Sequence, residues 1–599
     1  MAKGSGGDGS GDADAADTGG TPDGSGDTRV DRGLLGRFAS CERVPIEGLD
    51  PAEGPWRIEG EPLIFGASAD APGGFRAPAV ARETVLEVVS DRAQAFYRVE
   101  VTPRPQPEGQ APGLAADCAP FELGVASGDP TATSVLLWTQ TGARGTAVVD
   151  PPGDGSGEGS GGSSAVARVG WEVSTDPYFT NLVASGEAEA PAWHDHTVTV
   201  EVTGLEPAST YFYRFVRDGE TSRTGRTQTA PAGPVDRARF ALASCSSLWS
   251  GYFNAYRRLA ERTDIDLVIH VGDYIYDFVD EDERIRVPNP PIPDPTDVAT
   301  HRARHAYYLL DPDLRAARAA HPWFVLWDNH DLIAGDRPAF GGGVRAFREY
   351  VPSRLTDAAR PAVAWRTLRY GDLVDLSMLD VLLWRNLDLV EGTDEPSILG
   401  NEQFEWLRGE LTRSTATWRL VGTQKLVSPV DVPIDIGGST WLSFPASRRQ
   451  LLRMLQAEQV DNVVILSGDA HMTFVADVIE DAASYDAQTG AGSRAVEFLA
   501  GSVSRGNVDE SVDLDERFLG NLRNAFLALN PHMAHTNLVD HGYGVVDVTP
   551  ERVVVEMWLS PILEPSSDER FERGVEVRAG STNWSRSFRT VPTSPTSPD

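Results

Sequence analysis

Four stretches of this sequence end an apolar run on side chains that bind metals or move protons. ARFALAS runs into Cys245, and DLVIHV breaks at Gly272 before Asp273, Tyr274 and Tyr276. HPWFVLW runs into Asp328, Asn329, His330 and Asp331, and NVVILS into Gly468, Asp469 and His471. Short apolar runs with β-branched members read as buried strands. In open α/β sheets, ligands bind in the crevice beyond the carboxyl ends of the strands. The pattern therefore expects thiolate, phenolate, imidazole, amide and carboxylate to gather at one edge of one sheet, as a metal site.

The donor types divide. Cys245 and Tyr276 offer thiolate and phenolate, and His471 a neutral nitrogen. Thiolate and imidazole suit transition metals, and a phenolate favours a hard, highly charged ion such as ferric iron. Asp273, Asn329 and Asp469, with Gln424 as a further candidate, offer oxygen alone, which suits calcium, magnesium or manganese. Two unlike metals are expected, with Asp273 bridging them. Such a pair clamps the attacking and leaving oxygens of an in-line displacement and generates hydroxide near neutral pH. His330 is the expected proton donor to a leaving alkoxide, oriented by Asp331 or another nearby carboxylate. Each residue alone has an ordinary explanation, a turn cap for Asp273 or a buried structural thiol for Cys245. Complementary ligands at four strand ends favour the metal site.

Positioning these residues takes a multidomain chain: N-terminal β-sandwich modules followed by a layered α/β domain. Residues 1–33 are rich in Gly, Ser and Asp and read as a disordered tail. Residues 34–118 read as a small immunoglobulin-like β domain, from FRAPAV, TVLEVVSD and AFYRVEVT, with PRPQPEGQAPG as its exit linker. Residues 119–233 form a second β module. There GLEPASTYFYRF resembles the fibronectin type III pattern with a corner tyrosine, Tyr211 or Tyr213, and PPGDGSGEGSGGSS is a solvated insertion. Over 236–590 strands alternate with helices such as GYFNAYRRLAERTD and NEQFEWLRGELTRS, the pattern of a layered α/β catalytic domain. Residues 591–599 read as a second tail.

Composition narrows the functions. With 41% hydrophobic and 24% charged residues the chain is ordinary globular protein. Its net charge of −35 offers no basic stripe for nucleic acid and suits a self-repelling, halophile-like monomer. No apolar run reaches membrane-spanning length, and neither an apolar signal core nor a twin-arginine pair stands at the N-terminus. Cys41 and Cys118 either pair, if the protein is exported, or remain two buried thiols.

The motifs SGDPTATSVLLWTQ, ASCSS with GYFNAYRRLA, HVGDYIYD, WDNHD, LGNEQFEWLRGEL and LSGDAH resemble those of PhoD-type alkaline phosphatases. These belong to the calcineurin-like metallophosphoesterases, and the likeness runs from about Phe121 to Trp558. Gly-Asp-x-x-Tyr at Gly272–Tyr276 is also similar to purple acid phosphatases, where the tyrosine binds ferric iron. The resemblance implies Cys245, Asp273, Tyr276 and His471 around iron, and Asp273, Asn329 and Asp469 around calcium or another divalent metal. It implies His330 at the phosphate or leaving group. The family's Trp-Asp-Asp-His-Glu is here Trp327-Asp328-Asn329-His330-Asp331. Its Asp-x-Arg-x-x-Arg keeps only the second arginine, Arg385, which with Asn329 and His330 is the expected substrate contact. The implied activity is hydrolysis of small or polymeric phosphate esters, mono- or diester, by a metal-bound hydroxide. The alternatives are a phospholipase D-like hydrolase of lipid or wall polymers, or a non-catalytic adhesion-like protein with a structural metal. Family members generally leave the cell by the twin-arginine route. With that signal unseen here, cytoplasmic location and unconventional export both stay open.

Overall fold

The computed structural model describes residues 114–593 except 115, 143–165, 278–283, 289–291, 293, 333–339, 355–362, 432–439 and 508–515. Before residue 114 it describes six strands: β1 (Arg29–Ala39), β2 (Arg43–Val44), β3 (Arg57–Glu59), β4 (Phe75–Arg76), β5 (Glu83–Val89) and β6 (Gln94–Thr102). They form a four-stranded sheet in the order β1-β6-β5-β3 and a β2-β4 pair. The antiparallel β5–β6 pair is the one that TVLEVVS and AFYRVEVT spell. β1 begins inside the segment read as a tail. The rest of that tail, the Pro-rich linker, the Gly/Ser-rich insertion and residues 594–599 lie outside the described residues.

The second β region divides its strands between two sheets. β9 (Ala167–Ser174), β10 (Leu182–Ala190), β12 (Thr210–Arg217), β13 (Glu220–Thr221) and β14 (Gly225–Gln228) form a five-stranded sheet. β7 (Val125–Gly128), β8 (Ser134–Gln140) and β11 (Thr197–Thr203) instead continue a ten-stranded sheet. Val135, Leu137 and Val198 pack on Val169, Val173, Tyr213 and Phe215 between the two. Of the two candidate corner tyrosines, Tyr211 makes the corner, its hydroxyl accepting the Glu206 amide at 2.9 Å.

The ten-stranded sheet goes on through β17 (Pro322–Leu326), β16 (Leu267–Val271) and β15 (Ala238–Ala243), three parallel strands buried along their whole length. Burial on both faces is what their uninterrupted apolar runs require. An antiparallel meander completes the sheet: β25 (Gly542–Thr549), β26 (Arg552–Leu559), β27 (Arg570–Arg578) and β28 (Trp584–Arg589). A seven-stranded sheet contains β18 (Arg366–Tyr370), β19 (Val374–Met378), β20 (Trp418–Gly422), β21 (Val463–Ser467), β22 (Thr473–Ile479), β23 (Ser493–Leu499) and β24 (Met533–Asn537). One apolar core joins the sheets, with Phe240 and Ile269 on one side and Leu376, Leu420 and Val464 on the other. Helices α1 (Asn254–Glu261), α2 (Val298–Tyr308), α3 (Pro312–Ala320), α4 (Asn329–Leu332) and α5 (Phe340–Tyr350) belong to the first half of the α/β region. α6 (Gly400–Arg413) and α7 (Pro445–Ala457) bury Leu407, Leu411, Leu451 and Leu455 with Val421 and Ile465 of the second sheet.

One expectation is corrected here. The four donor-bearing strands do not share a sheet, because β15, β16 and β17 lie in the first and β21 in the second. β21 is paired on both edges within the second sheet, by β20 and β23. The donors meet because the parallel strands of both sheets end at the same place. Among the described residues no helix is long and apolar enough to cross a membrane.

Candidate metal centre

The chain leaving β15, β16 and β21 (Val463–Ser467) turns through a conformation that side chains rarely adopt. Cys245, Asp273, Asp469 and His471 have φ of 57°, 54°, 75° and 61°. Such residues carry a cost on the order of 1–3 kcal/mol each and cluster where function holds them. Gly272 and Gly468 let the strand ends close on one another. A Cβ on Gly272 would stand 2.7 Å from Asp328 Cβ, and one on Gly468 2.9 Å from Ser244 Cβ. The turns are stitched together by the Cys245 amide on Gly272 O (3.2 Å) and the Ser246 amide on Asp273 O (2.9 Å).

On one side of Asp273 are the mixed donors. Cys245 Sγ, an Asp273 carboxylate oxygen and a His471 ring nitrogen all lie within 4.8 Å of one another. The Tyr276 hydroxyl donates to Asp273 Oδ2 at 3.2 Å and lies 3.3 Å from His471 Nε2. Cys245, Asp273 and Tyr276 are buried. Burial pushes the Cys245 thiol and the Tyr276 phenol well up, and the Asp273 charge adds to both. Burial also lowers His471 to about 4, keeping the imidazole neutral. Thiol, phenol and neutral imidazole around one carboxylate become a full ligand set when a cation displaces the thiol and phenol protons. The donors fit a highly charged transition metal. Cys245 is the free cysteine among the described residues, whereas Cys118 is disulfide-bonded and so not the free thiol of the alternative reading.

On the other side the carboxylates of Asp273, Asp328 and Asp469 approach within 4.8 Å of one another. Asp328, left out of the expected ligand set, lies in this group. The group already holds a cation. Lys425, 3% exposed, places Nζ 2.7 Å from Asp328 Oδ2, 2.9 Å from Asn329 Oδ1 and in contact with Asp469 Oδ1. Burial raises Asp328 to about 7, with Lys425 opposing the rise. The same burial acts against charge on Lys425, but Asp328, Asp469 and Asp273 outweigh it and raise its pKa.

Gln424 is not a donor to this group. Its Nε2 donates to Trp327 O (2.9 Å) and its Oε1 accepts the Val381 amide (3.1 Å), so both ends of the amide are used in tying strand ends together.

His330 stands at the junction. Its amide donates to Asp273 Oδ1 (3.3 Å), its ring stacks on Tyr276 at 4.2 Å, and its Nδ1 lies 2.6 Å from Asp277 Oδ1. Burial alone would lower its pKa; Asp273 and Asp277 reverse that and hold it at about 9. The orienting carboxylate is thus Asp277, not Asp331. Asp331 accepts the amides of Asp328 (2.8 Å), Tyr274 (3.3 Å) and Ile275 (3.0 Å), fastening two loops together. Arg385 acts electrostatically on Asp380, which accepts from Trp327 Nε1. Another arginine approaches the donors. Arg505 lies with its guanidinium carbon 5.7 Å from the Tyr276 ring centre, its amide donating to Cys245 O at 3.2 Å.

The model of the PhoD-like phosphatase family matches residues 240–334 and 340–557, and that of the PhoD-like phosphatase N-terminal domain matches 107–231. Alkaline phosphatase D of Bacillus subtilis (strain 168) is 31% identical over 487 residues, covering 75% of this chain and 79% of that protein. The solved structure of PhoD superposes with a TM-score of 0.66 at 28% identity, covering 79% of this chain and 93% of that one.

Proposed function

This chain belongs to the PhoD-like phosphatase family and is an alkaline phosphatase D-like phosphoesterase, and we propose that it hydrolyses phosphate monoesters, diesters or both at the junction around Asp273. The observation that carries this reading is the convergence of four metal donors beside a histidine–carboxylate pair. Cys245, Asp273, Tyr276 and His471 are read as the holders of ferric iron, the ion that suits thiolate with phenolate. A metal there supplies Lewis acidity and an acidified water at neutral pH. His330 is the general acid: Asp277 occupies Nδ1, leaving Nε2 to deliver a proton to the leaving alkoxide. Arg505 is read as a phosphate contact alongside Arg385. The calcium expected among Asp273, Asn329 and Asp469 does not fit, because the Lys425 ammonium already stands on Asn329 and Asp469.

The strands before residue 234 are read as two β modules that shield the catalytic region, 236–590, and the whole as a monomer. The experiment is metal analysis of the purified protein together with monoester and diester assays. Iron with a visible phenolate charge-transfer band, and turnover of at least one ester class, is the expected result. Full activity on stoichiometric zinc, with no iron, would overturn the metal assignment.

A further inference from the structure

Lysine is almost absent from this chain. Of 53 basic side chains, all but Lys3 and Lys425 are arginines. Lys3 lies outside the described residues. Lys425 is buried three residues beyond β20, in the group of Asp328, Asn329 and Asp469. An arginine there would bring a planar fork of five donors suited to bidentate pairing. Lysine brings a compact point charge with three donors. Three oxygens from three residues meet those three donors. The described lysine stands where a cation sits as a point between three oxygens.

The distances have the same meaning. Nζ to Asp328 Oδ2 at 2.7 Å and to Asn329 Oδ1 at 2.9 Å are charge-assisted hydrogen bonds. The acceptors, two carboxylates and an amide oxygen, are the kind that a hard divalent ion would take. An ammonium and a dication cannot share them.

We propose that Lys425 is the second cation of this site: its ammonium holds the position among Asp328, Asn329 and Asp469 that a divalent ion fills in a two-metal centre, so that the chain works with one bound metal. The chemical role of that position rests on the phosphoesterase reading above; its occupancy does not.

The test is calcium binding by the full-length protein, followed by calorimetry and by melting temperature, with metal content measured alongside. Wild type should carry one transition metal and show neither heat nor a melting shift at about 1 mM calcium, the upper range of weak protein sites. Lys425→Met, which keeps the length and removes the charge, should bind one calcium ion and gain melting temperature from it. Lys425→Arg, which keeps the charge, should bind none. Stoichiometric calcium on wild type overturns the proposal by itself, so the outcome does not depend on the variants folding. A folded Lys425→Met protein that takes up no calcium overturns it too. Turnover is scored separately. A protein that hydrolyses no ester but shows the calcium switch loses the phosphoesterase reading and keeps this one.

Discussion

On one side of Asp273 stand a thiol, a phenol and a neutral imidazole; on the other stand two more carboxylates around an ammonium. The first group can fold without an ion, because burial keeps its thiol and phenol protonated. The second cannot rely on that. Two charged carboxylates within 4.8 Å of one another repel by about 3 kcal/mol or more at the effective dielectric of a protein site, and Asp328 is buried. A chain that assembles both groups on one aspartate gains by carrying the cation for the second and leaving the first to recruit its own. The difference lies between a site made selective by donor chemistry and one filled in advance by sequence.

Removing the shared carboxylate breaks both sides at once and should have the largest effect. Asp273→Asn is nearly isosteric, and asparagine tolerates the left-handed φ of 54° found there. Hydrolysis should fall by orders of magnitude and the bound metal should be lost, while the melting temperature moves little. If Asp273 were only a turn cap, the change would cost on the order of 1 kcal/mol and nothing else. Retention of the metal and most of the activity would refute the bridging role.

Single-sided changes should separate the two groups. Cys245→Ser should lower metal content and turnover by more than the roughly 10–100-fold that losing an outer partner costs. Asp328→Asn should leave the transition metal in place, since its contact is with Lys425. Equal metal loss in both variants would mean that the two sides form one site.

The donors were legible because each ends an apolar run, and the runs of β15, β16, β17 and β21 are strands as the sequence implies. An apolar run does not say which sheet it joins, so the split between two sheets was invisible. Loop hydrogen bonds are equally silent in spacing: Asp331 adjoins His330 in sequence, yet Asp277, more than fifty residues away, holds the ring. Arg505 lies in GSVSRGN, which carries no motif. Lys425 did leave a signal. A solitary lysine beyond the N-terminus stands out in an arginine-rich chain, but the count alone does not reveal that the place is acidic.

His330 touches both sides, through Asp273 and through the Tyr276 ring, yet is neither a donor to the metal nor a partner of Lys425 among its described contacts. If it delivers the proton, His330→Ala should slow esters of poor leaving groups by about 10²–10⁴-fold and activated aryl esters far less. Equal losses on both classes would show that His330 binds phosphate instead.

The smallest effect should come from Asp277→Asn, which leaves both groups of donors intact. The amide oxygen can still accept from Nδ1, so the ring stays oriented, but the charge that favours the imidazolium is gone. Poor leaving groups should slow about tenfold, at the low end of what an outer partner contributes. The sign of the pH effect is fixed. Asp277 helps hold His330 at about 9, so without its charge the proton leaves at lower pH. The alkaline limb of kcat on poor leaving groups should then move toward neutrality. A purely structural Asp277 would lower kcat evenly across pH, with no movement of that limb, and metal content should match wild type in either case. A variant that lost metal along with rate would place Asp277 among the supports of the donor cluster and remove it from the proton path.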